Sequence, residues 1–226
     1  MQTIEQLTQA DQSAWAVLKT WFKQTRNHFE ILSADKKVAG KDLFSLQISV
    51  RSPMGAVIYE TGGILINHGW LRILGSGSPK LNRGLLEWNF GKTFQESGEQ
   101  PSYLLVADDV LGGYFGLNAG GLGPNVGKIY YYSPQKEEWQ DLNLSYSEFL
   151  GWALNADLMA FYQGFYWQNW QADVQNLDGN QVYRFEPELS HAAKMDDRSK
   201  QAVAIERHFE ATFNVKDKYG VAYSVS

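Results

Sequence analysis

The 226-residue chain contains no cysteine. Disulfide bonds, thiolate catalysis and cysteine-based zinc sites are therefore excluded, whereas the cellular compartment is left open. No apolar run approaches the ~18 residues that a membrane span requires. The N-terminal segment MQTIEQLTQADQ also lacks the basic and apolar regions of a signal peptide. We therefore expect a cytoplasmic protein that does not contact a membrane.

Basic clusters are also missing. The net charge is -5 and the pI about 5.4, and lysines adjoin only in short pairs such as Lys36-Lys37. A protein that binds nucleic acid needs clustered Lys and Arg to displace counterions from phosphates. We therefore expect neither nucleic acid nor an anionic membrane surface as a partner.

Apolar and aromatic residues are plentiful, at 44% and 14% of the chain. This length and composition suffice for one domain with a substantial core. We predict a single α+β domain over residues 1–226, with a C-terminal extension from about residue 187. Beyond that point the pattern places no helix or strand.

Strand and turn signals dominate the first half of the chain. Three- and four-residue spacing of apolar side chains predicts a helix over residues 11–25. Strict alternation over residues 43–52 predicts a strand with one buried face, ended by Pro53. Further short strands between Gly and Asn turns indicate an antiparallel meander. They are predicted at residues 56–59, 64–66 and 70–74.

The second half continues this pattern. A strand over residues 103–107 is followed by a hairpin through Gly112-Gly113 and a returning strand over 128–133. Ser145-Tyr146-Ser147-Glu148 matches a capping box, which predicts a helix start. Residues 181–185 predict a late strand. The fold class that these elements favour is α+β, with a central, mostly antiparallel sheet and packed helices.

Several long segments resemble the bacterial domain-of-unknown-function family 2625. They are SLQISVRSPMGAVIYETGGILINHGWLRILGSG (45–77), LLVADDVLGGYFGLN (104–118), KIYYYSPQKEEWQDL (128–142) and YSEFLGWALNADLMAFY (146–162). The family is uncharacterised, so this resemblance implies no reaction.

More distantly, the order of features is similar to that of the SUKH superfamily: an aspartate, a Gly-rich hairpin, a Val/Ile-Tyr strand, a Trp and a Ser-x-x-Glu-Phe-Leu helix. This resemblance implies a SUKH-like α+β fold and a binding function. Many members are bacterial immunity proteins that neutralise a toxin, and others are adaptor-like. We therefore expect a protein partner, either toxin-like or a second copy of the chain.

Catalytic and cofactor motifs are incomplete. Gly75-Ser76-Gly77 begins like a dinucleotide fingerprint, but Lys80 stands where the third glycine belongs. Gly91-Lys92-Thr93 ends like a phosphate loop, but Leu86 replaces its first glycine. The histidines lack zinc-site spacing, and no Gly-x-Ser-x-Gly elbow is present. The sequence predicts no catalytic residue, metal or cofactor, and leaves open whether the protein is an enzyme.

Our first hypothesis is a non-catalytic binding protein with an acidic and aromatic contact surface. Its candidate contacts are Asp108, Asp109, Glu137, Glu138 and Trp139. Such a surface would steer a basic partner towards it. Two structural alternatives stay open. Asp108 or Asp109 can bond turn N–H groups ahead of Gly112, and the glutamates can form a solvated turn.

Our second hypothesis is a small-ligand site or an unrecognised enzyme. It would use His68, Trp70, Arg72, Gly75 and Asp109, which come from separate segments that we expect to meet at one end of the sheet. A pocket that joins Arg72, His68 and Asp109 would favour it. A third hypothesis is a structural homodimer through the surface at 167–170, although helical spacing there also predicts core packing.

Overall fold

A seven-stranded antiparallel sheet forms the centre of the fold in the computed structural model, which describes residues 1–9, 11, 13–96 and 98–213. The strands lie side by side in sequence order, and each pairs antiparallel with the next. They are β1 Phe29–Leu32, β2 Gly63–Ile66, β3 Leu71–Leu74, β4 Tyr103–Asp109, β5 Tyr114–Asn118, β6 Ile129–Ser133 and β7 Glu138–Leu144. This meander confirms the predicted α+β class and its antiparallel sheet.

The strand register defines two faces of the sheet. Ile73, Ala107, Phe115 and Tyr131 lie opposite one another in β3 to β6 and so share one face. A neighbouring row shares the other face because successive side chains alternate. That row consists of Arg72, Asp108, Tyr114 and Tyr132.

Helices cover the Phe115 face. The ring of Phe149 lies 5.1 Å from the ring of Phe115, and Phe22 stacks on Phe29 of β1 at 5.2 Å. The packed layer contains α1 Ile4–Leu7, α2 Trp15–Lys23, α3 Lys36–Leu46, α4 Pro53–Glu60 and α6 Tyr146–Asn155.

A smaller unit covers the Tyr114 face. Phe209 of α9 contacts Tyr114 at 5.2 Å between ring centroids. The strands β8 and β9 pair with each other beside α9. The bounds are β8 Gln181–Glu186, β9 Ser199–Ala204 and α9 Ile205–Thr212; the remaining helices are α5 Leu85–Asn89, α7 Leu158–Phe161 and α8 Trp170–Asn176.

The strands predicted at 43–52 and 56–59 are wrong, because these residues belong mainly to α3 and α4. In these segments, helix N-caps favour helices more strongly than the alternation of apolar residues favours strands. The Asp35 carboxylate accepts from the N–H groups of Lys37 and Val38 and begins α3. Ser52 caps α4, and Pro53 occupies its first turn, where a missing N–H costs nothing. Pro53 therefore starts a helix and does not end a strand.

Other predicted elements are confirmed. The strands predicted at 64–66, 70–74, 103–107, 128–133 and 181–185 are β2, β3, β4, β6 and β8, and the helix predicted over 11–25 is the shorter α2. After residue 187, where the sequence pattern placed no helix or strand, the structure has β9 and α9. Residues 214–226 lie outside the described part. No described helix has the length and apolarity to cross a membrane.

The capping box at α6 supplies a test of the fold. Ser145 Oγ accepts from the Glu148 N–H at 3.3 Å, and Glu148 Oε2 accepts from the Ser145 N–H at 2.7 Å. We predict that Ser145→Ala lowers the free energy of unfolding by ~1 kcal/mol in urea titrations. Ser147→Ala, inside the same helix, should change it by less than ~0.5 kcal/mol. Equal effects of the two variants would contradict the assigned cap.

Candidate functional site

A largely apolar groove opens between α3, α5 and the ends of β4 and β5. Its volume is about 710 Å³. Leu104 and Leu117, which pair across β4 and β5 and are half-buried, lie along it. Other walls come from both helices and from the neighbouring loops. They include Val38, Asp42, Leu46, Ile48, Leu86, Glu87, Phe90, Phe94, Pro101 and Val126.

Large apolar side chains stand exposed around the groove. Val38 is 43% exposed, Phe90 56% and Val126 66%. Burial of apolar surface gains about 25 cal/mol per Å². Clustered exposed apolar groups therefore mark a surface that a ligand or partner can cover favourably.

Asp42 places a buried carboxyl group in this apolar wall. Its residue is only 8% exposed, and no hydrogen bond or ion pair to it occurs within the described residues. Its neighbours three and four positions along α3 are Val38, Ala39, Ser45 and Leu46, which carry no charge. Burial, together with the negative charge of Glu87, raises the pKa of Asp42 to about 7.

Asp108 lies on the opposite face of the sheet, between two buried arginines. Arg72 Nε approaches Asp108 Oδ1 at 2.6 Å, and Arg83 Nη1 approaches Oδ2 at 2.6 Å. Arg72 Nη1 also donates to the carbonyl oxygens of Gly179 and Gln181. This cluster therefore fastens the start of β8 to the sheet.

The carboxylate of Asp109 has a full set of hydrogen bonds. Oδ1 accepts from the N–H groups of Leu111 and Gly113, both at 2.9 Å. Oδ2 accepts from the hydroxyls of Tyr131 at 2.8 Å and Tyr162 at 3.1 Å. Burial raises the pKa of Asp109, although these four donors oppose the shift. The bond from the Leu111 N–H is of the kind that the structural alternative predicts, ahead of Gly112, and the Gly113 N–H adds one just after it. With all four bonds inside the protein, Asp109 has a structural role.

The predicted partner contacts do not form one surface. Asp108 and Asp109 are both fully buried and present nothing to a partner. Glu137 and Glu138 are exposed at the turn between β6 and β7. Trp139 is half-buried against neighbouring aromatic rings, those of Tyr103, Tyr132 and Phe213.

Two of the predicted ligand residues, His68 and Arg72, line one cavity of about 360 Å³. The His28 and His68 rings stack there at 4.3 Å, and Gln175 Nε2 lies 3.0 Å from His68 Nδ1. Partial burial and the neighbouring His28 lower the pKa of His68, which favours its neutral form. Arg72 reaches this cavity with most of its donors already engaged.

The other three predicted ligand residues lie elsewhere. Trp70 is fully buried in an aromatic cluster with Tyr166 and Trp167, at 4.4 and 5.5 Å. Gly75 packs against the end of α4, where a Cβ atom would lie 2.2 Å from the Thr61 carbonyl oxygen. Asp109 lies on the opposite face of the sheet from Arg72. Because Trp167 is itself only 6% exposed, it offers little surface to a homodimer.

Sequence reasoning missed the groove. The predicted strand over 43–52 begins just after Asp42, so the prediction does not assign Asp42 to the helix α3 in which it lies. Had the Asp35 cap been given more weight, the helix would have placed Val38, Asp42 and Leu46 on one face at four-residue spacing. No local signal marks Phe90 or Val126, since their grouping depends on the tertiary fold.

Comparison with known proteins identifies relatives without a described activity. A family model described as "Protein of unknown function DUF2625" matches residues 4–208. An uncharacterized protein of Haemophilus influenzae is 59% identical over 228 residues, which cover 100% of both chains. The putative uncharacterized protein YbfG of Escherichia coli is 37% identical over 97% of this chain and 99% of its own. No solved structure matches the chain.

Metal ligands do not converge in the described part of the chain, where no group of three or more His, Asp or Glu side chains has the arrangement of a metal site. Asp42 lacks a partner within the described residues, whereas Asp108 contacts two arginines. Substitution of each carboxylate therefore has a different expected effect on stability.

We predict that Asp42→Asn stabilises the protein at alkaline pH. The folded-state pKa of about 7 lies above the ordinary value of 3.8. Protonation of Asp42 thus contributes stability below about pH 4. That contribution is lost as pH rises through 7. Thermal unfolding at pH 8 should show the variant more stable by about 1–3 kcal/mol, with the gain vanishing near pH 4. Glu138→Gln should show no such trend, and a pH-independent difference for Asp42→Asn would contradict the unpaired carboxyl.

We predict the opposite for Asp108→Asn. Removing this charge leaves two buried guanidinium groups without their counter-ion, which should cost about 3–5 kcal/mol in urea unfolding. The matched control is Glu30→Gln, which breaks the exposed Lys80–Glu30 pair and should cost less than about 1 kcal/mol. Similar small losses for both variants would contradict the anchoring role of Asp108.

Proposed function

We propose a binding function for this chain, which belongs to the DUF2625 family of proteins of unknown function. The protein holds an apolar segment of a partner protein in the groove between α3 and α5, without turnover. The observation that carries this function is the set of exposed apolar side chains around the groove, above all Phe90 and Val126.

The exposed rim favours a protein segment over a small molecule. The groove volume of about 710 Å³ also falls within the range of roughly 300–1,000 Å³ that is typical of small-ligand pockets. Such pockets enclose most of their ligand, whereas Phe90 and Val126 stand mostly in solvent. Exposed aromatic side chains are frequent anchors of protein interfaces because they bury a large apolar area on binding.

The charge of the protein favours a basic partner. The net charge is -5, and Asp42 and Glu87 both lie in the groove. Complementary charge accelerates association and selects among partners. The resemblance to the SUKH superfamily supports an immunity- or adaptor-like role, in which the partner is a toxin-like protein or a second copy of the chain. Glu137 and Glu138 lie at the other end of the sheet from Leu117 and do not border the groove.

A second candidate function is small-ligand binding in the cavity of His28, His68 and Arg72. The stacked imidazoles favour it, because they bring ring nitrogens from two segments to one cavity. Single substitutions distinguish the two candidate sites. Binding at this cavity should be lost with His68→Ala and kept with Phe90→Ala, whereas binding in the groove should show the reverse.

The native absence of cysteine allows the partner to be trapped from a single chosen position. Val126→Cys places a thiol at the groove, and Val17→Cys places one on α2, where Val17 is 53% exposed outside the groove. Both variants would carry a benzophenone maleimide and be irradiated in extracts of the native host. We expect a protein that cross-links through position 126 and not through position 17. Identical products from both positions would count against the groove.

We predict that Phe90→Ala weakens binding of that purified partner at least tenfold by calorimetry, because it removes an aromatic anchor. Stability should change little, since Phe90 is 56% exposed. The matched control is Met159→Ala, a residue 51% exposed on α7 and outside the groove, which should leave the affinity unchanged. Equal affinities of the wild type and Phe90→Ala would overturn the proposed function.

A further inference from the structure

The unpaired carboxyl of Asp42 points to a chemical requirement on the groove's occupant. We infer that the bound segment carries a lysine or arginine whose cationic group pairs with Asp42 and Glu87, while its neighbouring apolar residues cover the groove walls. This inference rests on the proposed function and specifies which partner segments the groove accepts.

The described residues supply no cation to Asp42. Lys41 is adjacent in sequence but exposed, and the positions on the same face of α3 as Asp42 are uncharged. Across the groove, α5 presents Glu87, whose charge is of the same sign. A buried carboxylate without a counter-ion or hydrogen bond is costly to the folded state. Such local conflicts are expected at functional sites, where a ligand completes the interaction.

Asp42 differs in this respect from the other buried aspartates. Asp108 has two arginines and Asp109 has four hydrogen-bond donors. The two buried carboxylates that have a structural role are therefore supplied with ion-pair or hydrogen-bond partners by the fold. Asp42 alone among these three lines the groove and lacks such partners within the described residues.

An organic cation suits the surroundings better than a metal ion. Calcium takes about six to eight oxygen ligands. Glu99 also lines the groove, but its carboxylate accepts from the N–H groups of Gln95 and Glu96, and the described residues contain no group of three carboxylates or histidines arranged as a metal site. The walls beside Asp42 are apolar, with Val38, Leu46 and Leu86 among them. Lys and Arg pack long aliphatic stems on such surface while their charged ends reach a carboxylate.

The same carboxylates give selectivity. A segment with an acidic residue at this position would bring a third negative charge to a poorly solvated site, which costs binding energy. A neutral residue of the same length would keep the apolar contacts and leave Asp42 unpaired. The groove should therefore rank segments in the order cationic, neutral and anionic.

Three matched peptides test this order on the full chain. They are acetylated and amidated Leu-Leu-X-Leu-Leu sequences, extended by serines for solubility, in which X is lysine, norleucine or glutamate. Affinities are measured at pH 8 by calorimetry, for the wild type, Asp42→Asn, Glu87→Gln and the exposed control Glu138→Gln. Asp42→Asn is expected to remain folded, and its thermal unfolding is recorded alongside.

We expect the lysine peptide to bind the wild type at least tenfold more tightly than the norleucine peptide, and the glutamate peptide to bind least. Asp42→Asn should abolish the preference for lysine while retaining norleucine binding. Glu87→Gln should reduce the preference, and Glu138→Gln should keep it.

Equal binding of the lysine and norleucine peptides to the wild type would overturn the inference and leave the proposed function standing. Absence of saturable binding by all three peptides would instead count against the groove itself. A fall in the thermal unfolding temperature of Asp42→Asn at pH 8 would also overturn the inference, since it would show that the chain already supplies a partner to Asp42.

Discussion

The buried contact of Asp108 with Arg72 and Arg83 is the interaction on which the arrangement of this protein depends. It joins β3, β4 and the loop before α5, and through Arg72 it holds the backbone at residues 179–181. The strands β8 and β9, and with them α9, therefore have a fixed position on one face of the sheet. The helical layer packs on the other face, where the groove lies.

This constraint changes the meaning of the most conspicuous polar residues. Paired aspartates beside a double glycine look like a functional site in the sequence. In the fold, a Cβ atom at Gly113 would lie 2.5 Å from the Asp109 carboxylate, and one at Gly112 would lie 2.2 Å from the His208 ring. The two glycines thus allow close packing around satisfied charges. A buried polar network whose hydrogen bonds are all formed specifies structure. Asp42 lacks such partners within the described residues, so a ligand could provide its missing ion pair.

Much of the sheet could be predicted from the sequence because its signals are local. Turn glycines, apolar runs and the Ser145–Glu148 box identify β2, β3, β4, β6 and α6 correctly. The error at 43–60 arose where alternation in a short segment competed with two helix caps, at Asp35 and Ser52. The groove could not be predicted, because Asp42 and Val126 are brought together only by long-range packing. Of the site residues predicted from the sequence, His68 and Arg72 share a cavity, and the rest are dispersed.

The location of the bound segment is the central claim, and intermolecular nuclear Overhauser effects test it most directly. A lysine-containing apolar peptide would be added to protein with labelled methyl and aromatic groups. The groove predicts contacts from the peptide to the Phe90 ring and to the methyl groups of Leu117 and Val126, which line it. Contacts confined to the Glu137–Trp139 turn or to the His28 and His68 rings, with none at Phe90, would contradict it.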